Sequence, residues 1–403
     1  MKKIIMNVDY NDEVWIRKRP MTEQDIEELL DLCARHGCCA VNWRVTCLGS
    51  YQYPTQRPNR WMFDREDYMA SAGVHGVASV LAERGKQVQE RLRLARDERE
   101  TLARIDPVKT ARRIARDKGL EFHIWFDIFD DNYAGYLSQF MLDNPRCQWT
   151  TQDGQQTYNY LRSYAFPEAR EDQLGYIREL AQYEPDGFYL ATSHHSGHVP
   201  RPIDPDLYGY EEPVARRFRD LYGVDIRETE DFDRGAWHRV KGEFVTQFYR
   251  EVKAELDRVG AKLCIGSHLG DYTTFRYPYF SDHVTARYYN DWRTWVEEGI
   301  ADSLMVGDYQ AMWRWDDSWN RYDEPVKGAE LPVDVAAEIY ADFCRGRCDL
   351  YYFSGWMHPP QFPDCLRVRG ETLRNHPADG IVVHEAMSVE QAEAWDQMAL
   401  LEA

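Results

Sequence analysis

Short apolar runs recur eight times along the chain, and segments with helical periodicity separate most of them. Each run has the length of a β-strand rather than of a helix. Strands that alternate with helices predict βα units, and eight such units favour a closed parallel (β/α)8 barrel, the TIM-barrel fold. The runs are Lys3–Asp9, Ala40–Arg44, Glu121–Asp127, Gly187–His194, Lys262–His268, Asp302–Asp308, Asp349–Trp356 and Gly380–Glu385.

Most of these runs end on a polar, charged or aromatic residue. In a (β/α)8 barrel the carboxyl ends of all strands meet at one face, the mouth, where active sites are built. We therefore expect the end residues of the runs to surround one active site. They are Asp9, Arg44, Asp127, His194, His268, Asp308, Trp356 and Glu385.

The segments between the runs predict a single barrel domain over residues 1–403 with two long excursions. Thr22 and the acidic residues after it favour a helix start, and this helix should end near Gly37. A minimal barrel needs only about 250 residues, so long loops must hold the excess. We expect a helical insertion at about 56–104 and an aromatic loop at about 130–170. Either would suit a contact between copies of the chain, which leaves a homo-oligomer open.

Charge and cysteine content narrow the class of protein. Acidic residues exceed basic ones by 19, which disfavours nucleic acid or an anionic membrane as a partner, because both require a basic face. The nine cysteines include no Cys-x-x-Cys pair, so we expect reduced, structural thiols. No apolar run approaches the roughly 18 residues of a membrane span, and the start after Met1 lacks the apolar core of a signal peptide. We therefore expect a cytoplasmic protein.

Three acidic run ends are the best candidates for catalysis. Glycoside cleavage needs two carboxyl groups beside one bond, of which one donates a proton and the other acts as base or nucleophile. Asp9, Asp127 and Asp308 could supply this pair. His194 lies in the most polar run end and could act as acid or base near neutral pH. If the reacting pair straddles the mouth, about 6.5–9.5 Å would leave room for water and favour inversion of configuration.

Further residues at the run ends could bind the carbohydrate substrate. A guanidinium group suits a carboxylate or sulfate, so an acidic sugar is conceivable. Tryptophan rings stack on sugars, and histidine or glutamate side chains can hydrogen-bond sugar hydroxyl groups. The candidates for substrate binding are Arg44, Trp43, Trp125, His195, His268, Trp356 and Glu385.

A divalent metal ion is the alternative at the same mouth. His194 or His195, together with His268 and Asp308, would offer nitrogen and oxygen ligands. However, the first run has no His-x-His and the fourth does not end in glutamate, so the familiar metal patterns of barrels are missing. The glycines form no phosphate-binding motif, which argues against a nucleotide cofactor. The leading expectation is thus an enzyme without a cofactor.

Four stretches together resemble the family-10-like glycosyl hydrolase group, barrel proteins related to the glycoside hydrolases. Asn7–Tyr10 is similar to the group's Asn-x-Asp-Trp ending of the first strand. Val41–Arg44 followed by Tyr53–Thr55 resembles its second-strand arginine and Tyr-Pro-Ser loop. Asp106–Asp127 resembles its Asp-Pro helix leading into a His-x-Trp-Phe strand, and Pro185–Leu190 resembles its fourth strand.

The resemblance implies a barrel glycoside hydrolase that cleaves a small or oligomeric carbohydrate. The group's fourth strand continues into acidic Asp-Tyr residues, whereas this chain has Ala191–His194, so that acid does not carry over. His194 or another carboxylate would then take its role. Two other hypotheses stay open: a metal-dependent sugar isomerase, epimerase or lyase, and a barrel that binds carbohydrate without cleaving it.

Overall fold

A closed barrel of eight parallel strands forms the centre of the molecule. The computed structural model describes residues 2–47, 50–57, 85–129, 132–133, 136–191, 207–268, 288–307, 333–356, 366, 374–375 and 377–401. The barrel strands are β1 (Lys3–Val8), β2 (Ala40–Arg44), β3 (Glu121–Asp127), β4 (Gly187–Ala191), β5 (Lys262–His268), β6 (Ser303–Gly307), β7 (Asp349–Trp356) and β8 (Gly380–His384). The strands follow chain order around the ring, and β8 closes it by pairing with both β7 and β1.

The predicted (β/α)8 barrel is therefore confirmed. Seven of the eight apolar runs agree with the observed strands to within one residue at either end. In the fourth run the strand is observed over Gly187–Ala191, and residues 192–194 lie outside the described segments.

Helices pack around the outside of the barrel. They are α1 (Tyr10–Arg17), α2 (Glu23–Arg35), α3 (Gly85–Arg104), α4 (Pro107–Asp117), α5 (Gln139–Asp143), α6 (Pro167–Ala181), α7 (Glu212–Tyr222), α8 (Arg234–Asp257), α9 (Trp292–Glu297), α10 (Val333–Cys344) and α11 (Ala386–Gln391). Thr22 caps α2 through reciprocal bonds with Asp25, and Pro107 follows the capping Asp106 at the start of α4. Helix α3 fills the carboxyl-terminal half of the predicted insertion, and residues 58–84 lie outside the described segments.

The predicted aromatic loop contains regular structure of its own. It includes α5, a 3₁₀ turn and two antiparallel hairpins, of which the larger is bulged. A third small hairpin follows β2, and a 3₁₀ helix ends the described chain. These additional elements are Thr46–Cys47 with Ser50–Tyr51, Asn132–Tyr133 with Tyr136–Leu137, Pro145–Cys147, Gln148–Thr150 with Thr157–Arg162, and Trp395–Leu401.

Two apolar layers share the barrel strands. Successive side chains of a strand point to opposite faces, so one set fills the barrel and the other packs against the helices. The outer layer is the larger and includes the apolar faces of α2 and α4. The inner layer draws on every strand and consists of Ile5, Ala40, Trp125, Tyr189, Ala191, Cys264, Met305, Tyr351, Phe353 and Val382.

Three aspartates tie the strands together at the amino-terminal end of the barrel, opposite the mouth. Asp186, Asp302 and Asp379 each precede an even-numbered strand and accept a hydrogen bond from a backbone N–H of the preceding strand, at 2.7–2.8 Å. A polar cavity of about 480 Å³ opens between the strand starts at this end. Because function gathers at the carboxyl ends of barrel strands, we attribute this end to stability.

Candidate active site

The carboxyl ends of β1, β2 and β3 bring three of the predicted site residues together. Arg44, which ends β2, lies between Asp9 and Asp127 because β2 pairs with both neighbouring strands. All three residues are buried, with 2% of Arg44 and 4% of Asp9 exposed. The expected convergence of strand ends is therefore observed for these three residues.

The guanidinium group of Arg44 binds both carboxylates. Its Nη1 donates to Asp9 Oδ2 at 2.5 Å, and its Nε donates to Asp127 Oδ2 at 2.7 Å. Nε also donates to the carbonyl oxygen of Thr46 at 2.7 Å. Buried charges persist only when they are paired and hydrogen-bonded, as they are here. Arg44 thus orients two protein carboxylates, and its position gives no support to the expected contact with an acidic sugar.

Asp127 has hydrogen-bond donors on both of its carboxylate oxygens. Trp125 Nε1 donates to Oδ1 at 2.9 Å, while Arg44 takes Oδ2. The backbone N–H of Asp127 donates to the Thr46 hydroxyl group at 2.9 Å. These contacts fix the orientation of the Asp127 carboxylate, and the catalytic role expected for it stays a prediction.

Two tryptophans expected to stack on sugar are instead buried. Trp43 packs between the barrel and the helices, with its ring 6.0 Å from that of Tyr10 and 6.4 Å from that of Phe122. Trp125 lies inside the barrel, and the guanidinium carbon of Arg44 is 4.8 Å from its ring centroid. Trp43 therefore packs as a core residue and Trp125 against Arg44, which gives no support to the sugar platform expected for them.

Glu385 follows β8 directly and meets the acidic residues at the start of α1. Strand β8 lies beside β1, and Asp9 is the N-cap of α1, where its Oδ1 accepts from the Asn11 N–H at 2.9 Å. One oxygen from each of Asp9, Asp12 and Glu385 lies within 4.8 Å of the other two. We call these three residues the acid cluster. Glu385 is only 1% exposed, whereas Asp12 is half-buried.

The members of the acid cluster differ in their environments. Burial raises the pKa of Glu385 well above its ordinary value, the carboxylates of Asp12 and Asp9 raise it further, and Arg44 opposes them. Asp12 forms a hydrogen bond with Glu385, and among the described residues Glu385 Oε1 has no hydrogen-bond partner. Asp9, by contrast, forms an ion pair with Arg44. Two adjacent carboxyl groups in such different surroundings can act as a proton donor and its carboxylate partner.

The acid cluster also meets the distance requirement for a metal site within the described part of the chain. Carboxylate oxygens suit a hard cation such as Mg²⁺ or Ca²⁺. A carboxylate ligand must be deprotonated, which the burial of Glu385 opposes by raising its pKa as long as no cation is bound. The acid cluster can therefore serve proton transfer or hold a hard cation.

The remaining predicted site residues fall wholly or partly outside the described residues. His194, His195 and Asp308 lie outside them. For His268 and Trp356 only the backbone is described, at the carboxyl ends of β5 and β7. The catalytic, binding and metal roles considered for these five residues stay predictions.

Asp12 and the short helix that carries it have no counterpart in the sequence-based prediction. An aspartate followed three and four residues later by acids, as in Asp9, Asp12 and Glu13, is a typical helix start and would have predicted α1. Glu385 is expected from the sequence to bind substrate. Its burial beside two aspartates, which no local pattern reveals, gives it the character of an acid.

The described helices include none that is long and apolar enough to cross a membrane. No protein-family model matches the chain, and no curated protein matches it. Solved structures do match it. The PgaB (BpsB) glycoside hydrolase domain from Bordetella bronchiseptica aligns over 100% of this chain and 99% of its own, with a TM-score of 0.58 and 11% sequence identity.

Two further similar structures are also glycoside hydrolases. The endo-1,4-beta-mannanase from Rhizomucor miehei covers 98% of this chain and 95% of its own, with a TM-score of 0.49 and 10% identity. A chitinase from Chromobacterium violaceum aligns over 100% of this chain and 99% of its own, with a TM-score of 0.42 and 10% identity. At such identities the likeness to the PgaB domain shows the fold alone: this chain has a barrel of the type found in glycoside hydrolases.

Proposed function

We propose that this chain is a glycoside hydrolase in which Glu385 is the general acid and Asp9 its carboxylate partner. The observation that carries the proposal is the acid cluster, in which an oxygen of the buried Glu385, whose pKa is raised by that burial, lies within 4.8 Å of one of the ion-paired Asp9. Glycoside cleavage needs a proton donor and a base or nucleophile beside one bond. The barrel shared with a glycoside hydrolase domain supports the same reaction class.

Each member of the acid cluster has its own role in this proposal. Glu385 donates its proton to the leaving oxygen, and the burial that raises its pKa favours the protonated form that this step needs. Asp9 faces the positive charge that develops at the reacting carbon, and Arg44 fixes its orientation. Asp12 lies beside Glu385, and its negative charge raises the pKa of Glu385; Glu385 recovers its proton from the water that hydrolyses the glycosyl–Asp9 intermediate.

The short distance between Glu385 and Asp9 favours retention of configuration. Retaining enzymes hold their two carboxyl groups about 5–5.5 Å apart, whereas inverting enzymes need about 6.5–9.5 Å to admit a water molecule. An oxygen of Glu385 lies within 4.8 Å of one of Asp9, which is shorter than the inverting range. Asp9 is then the nucleophile, in place of the inverting course expected for a pair across the mouth.

The substrate class in this proposal is a small or oligomeric carbohydrate. Arg44 binds protein carboxylates, so the proposal does not extend to an acidic sugar. Membership of the family-10-like group belongs to the proposal, because the motifs that resemble that group contribute Asp9, Arg44 and Asp127 to the mouth. The excess of acidic residues adds to the proposal that nucleic acid and anionic membranes are not partners.

Hydrolysis of a panel of nitrophenyl glycosides tests the two catalytic assignments. Glu385→Gln and Asp9→Asn should each lower kcat about 10²–10⁴-fold on a glycoside that the wild type hydrolyses, because acid–base groups contribute factors of this size. Asp127→Asn should lose less than Asp9→Asn, since an amide oxygen can still accept from Arg44 or Trp125.

Glu211→Gln is a matched control for these variants. Glu211 is also a buried glutamate whose pKa is raised by burial, but it binds the Thr150 N–H outside the acid cluster. This variant should turn over like the wild type, and circular dichroism should show that all variants are folded. Wild-type turnover by both Glu385→Gln and Asp9→Asn would overturn the proposal.

A further inference from the structure

A row of polar side chains crosses the barrel interior and reaches the acid cluster. We call it the polar column: His123, Asn42, Asn7 and His384, which face inward from β3, β2, β1 and β8. All four side chains are buried, at 9% exposure or less. Glu121 adjoins the column at the amino-terminal end of the barrel, where its Oε2 lies 3.3 Å from His123 Nε2.

The two asparagine amides give the polar column a direction. Asn42 Nδ2 donates to Asn7 Oδ1 at 2.8 Å, so Asn42 turns its carbonyl oxygen to His123. A carbonyl oxygen only accepts, and His123 Nδ1, 3.1 Å away, must therefore carry a hydrogen. Asn7 in the same way turns its NH₂ group to His384 Nδ1, at 3.2 Å. The donors of the polar column thus all point towards the mouth.

This direction determines which ring nitrogen of His384 carries hydrogen. Nδ1 accepts from Asn7, so in the neutral ring the hydrogen lies on Nε2. Nε2 is 3.7 Å from Glu385 Oε2, which is longer than a hydrogen bond but within ion-pair range. The rings of Trp125 and Phe353 pack against His384 with centroids 5.5 and 5.1 Å away, which restricts its rotation.

Core packing alone does not call for a polar column. Barrel interiors are commonly filled by branched apolar side chains, and a buried polar group costs free energy unless it is hydrogen-bonded. The hydrogen bonds of Asn7 and Asn42 offset that cost, but apolar residues of the same shape would avoid it altogether. A fully bonded network does, however, fix one arrangement of its members.

We propose that Asn7 and Asn42 are positioning residues that act on Glu385 through His384. The polar column holds His384 in the tautomer whose Nε2–H faces Glu385 Oε2. Glu385 Oε1, which has no partner among the described residues, is then the oxygen presented to the substrate. This inference rests on the proposed function, because the orientation matters only if Glu385 is the acid.

Asn42→Asp tests the polar column at a residue that is separated from Glu385 by Asn7 and His384. An aspartate accepts from both neighbours, so Asn7 must turn its NH₂ to position 42 and its oxygen to His384. The ring hydrogen of His384 should then move to Nδ1, and Nε2 loses the hydrogen that faces Glu385. We expect kcat to fall at least about tenfold while KM stays within about twofold, because the change affects the chemical step and not substrate binding.

Nitrogen-15 NMR of histidine-labelled protein reads the tautomer without reference to activity. His384→Gln assigns the signal by its disappearance. The wild type should show the Nε2–H form of His384, and Asn42→Asp should show the Nδ1–H form. Asn7→Leu removes the NH₂ group that donates to His384, so it should give a mixture of the two tautomers and a reduced kcat. Met305→Leu changes an inward residue of β6 outside the polar column and should keep the wild-type tautomer and turnover.

The outcomes separate this inference from the proposed function. An Nδ1–H or doubly protonated His384 in the wild type, or an unchanged tautomer in Asn42→Asp, would overturn the direction of the polar column. A changed tautomer with wild-type kcat would overturn the positioning role. Neither result touches the assignment of Glu385 as the acid, which fails instead if Glu385→Gln turns over like the wild type.

Discussion

At the residue scale, Arg44 decides where the carboxylate of Asp9 lies. Its guanidinium group is planar and offers several N–H donors in fixed directions, so it can bind Asp9 and Asp127 at the same time. Lysine has one charged nitrogen on a flexible stem and cannot reproduce this arrangement. The stacking of Trp125 below the guanidinium group adds a second restraint.

Removal of the Arg44 side-chain charge should destabilise the protein strongly. Arg44→Met leaves two buried carboxylates without their counter-ion, and we expect a loss of roughly 3–5 kcal/mol in the free energy of unfolding. Arg44→Lys should lose less stability and still lower turnover, because Asp9 is no longer oriented. Urea denaturation measures the first effect and glycoside hydrolysis the second.

Arg250→Met provides the control for this prediction. Arg250 forms an ion pair with Glu298 at 2.6 Å, but both side chains are about half exposed. Exposed pairs contribute under about 1 kcal/mol, so this variant should remain close to wild-type stability. Equal losses in Arg44→Met and Arg250→Met would show that the buried arginine has no special importance.

At the scale of elements, α1 is held by the contacts of Arg17 on the side that packs against its neighbours. Arg17 donates to the buried Glu13 one turn earlier and to Glu390 of α11, and its Nε lies 3.7 Å from Asp25 of α2. These contacts join α1 to the two helices beside it. Because Asp9 caps α1, the same contacts hold the acid cluster in place.

The pKa of Glu13 predicts a stability that falls as pH rises. Burial, reinforced by Glu390, raises the pKa of Glu13 from 4.5 to about 8 in the folded protein, while the unfolded chain keeps the ordinary value. Between pH 4.5 and about pH 8 the folded state therefore binds more protons than the unfolded state. The stabilisation that the protonated Glu13 provides below about pH 4.5 is lost as the pH rises towards 8.

Between pH 5 and pH 8, the free energy of unfolding of the wild type should fall by a few kcal/mol relative to that of Glu13→Gln. Each unit of pKa shift corresponds to about 1.4 kcal/mol. Chemical denaturation at several pH values measures this difference. Glu27→Gln changes an exposed residue of α2 and should show no such trend. A constant difference between wild type and Glu13→Gln across this range would contradict the raised pKa.

The strands are predicted from their apolar runs, whereas α1 is missed by its apolar pattern, for a physical reason. Buried parallel strands read as short, continuous apolar runs between turns, which is a strong local signal. Helix α1 has eight residues, and its buried positions include Asn11 and Glu13, so its apolar pattern is weak. Its capping residues were the stronger signal.

At the scale of the whole molecule, barrel closure creates the acid cluster. Asp9 and Glu385 are 376 positions apart in the sequence, and they meet because β8 pairs with β1. The same closure aligns β3, β2, β1 and β8 so that the polar column can form. The two ends of the described chain thus supply both proposed catalytic groups.

Topology explains which parts of the site the sequence could predict. The rule that strand ends converge was sufficient to bring Asp9, Arg44 and Asp127 together. It could not show that Arg44 is occupied by protein carboxylates, or that Trp43 faces the helices, because side-chain partners depend on packing in three dimensions. The acidity of Glu385 likewise depends on burial and on neighbours distant in sequence.

The most direct test of Glu385 as the proton donor is how the turnover of Glu385→Gln depends on the leaving group of the glycoside. A general acid is needed for a poor leaving group such as phenol, whereas dinitrophenolate departs without a proton. If Glu385 is the proton donor, Glu385→Gln should lose about 10²–10⁴-fold in kcat/KM on a phenyl glycoside. It should lose little or nothing on the dinitrophenyl glycoside of the same sugar. Equal losses on both glycosides, or none on either, would contradict the assignment of Glu385 as the proton donor.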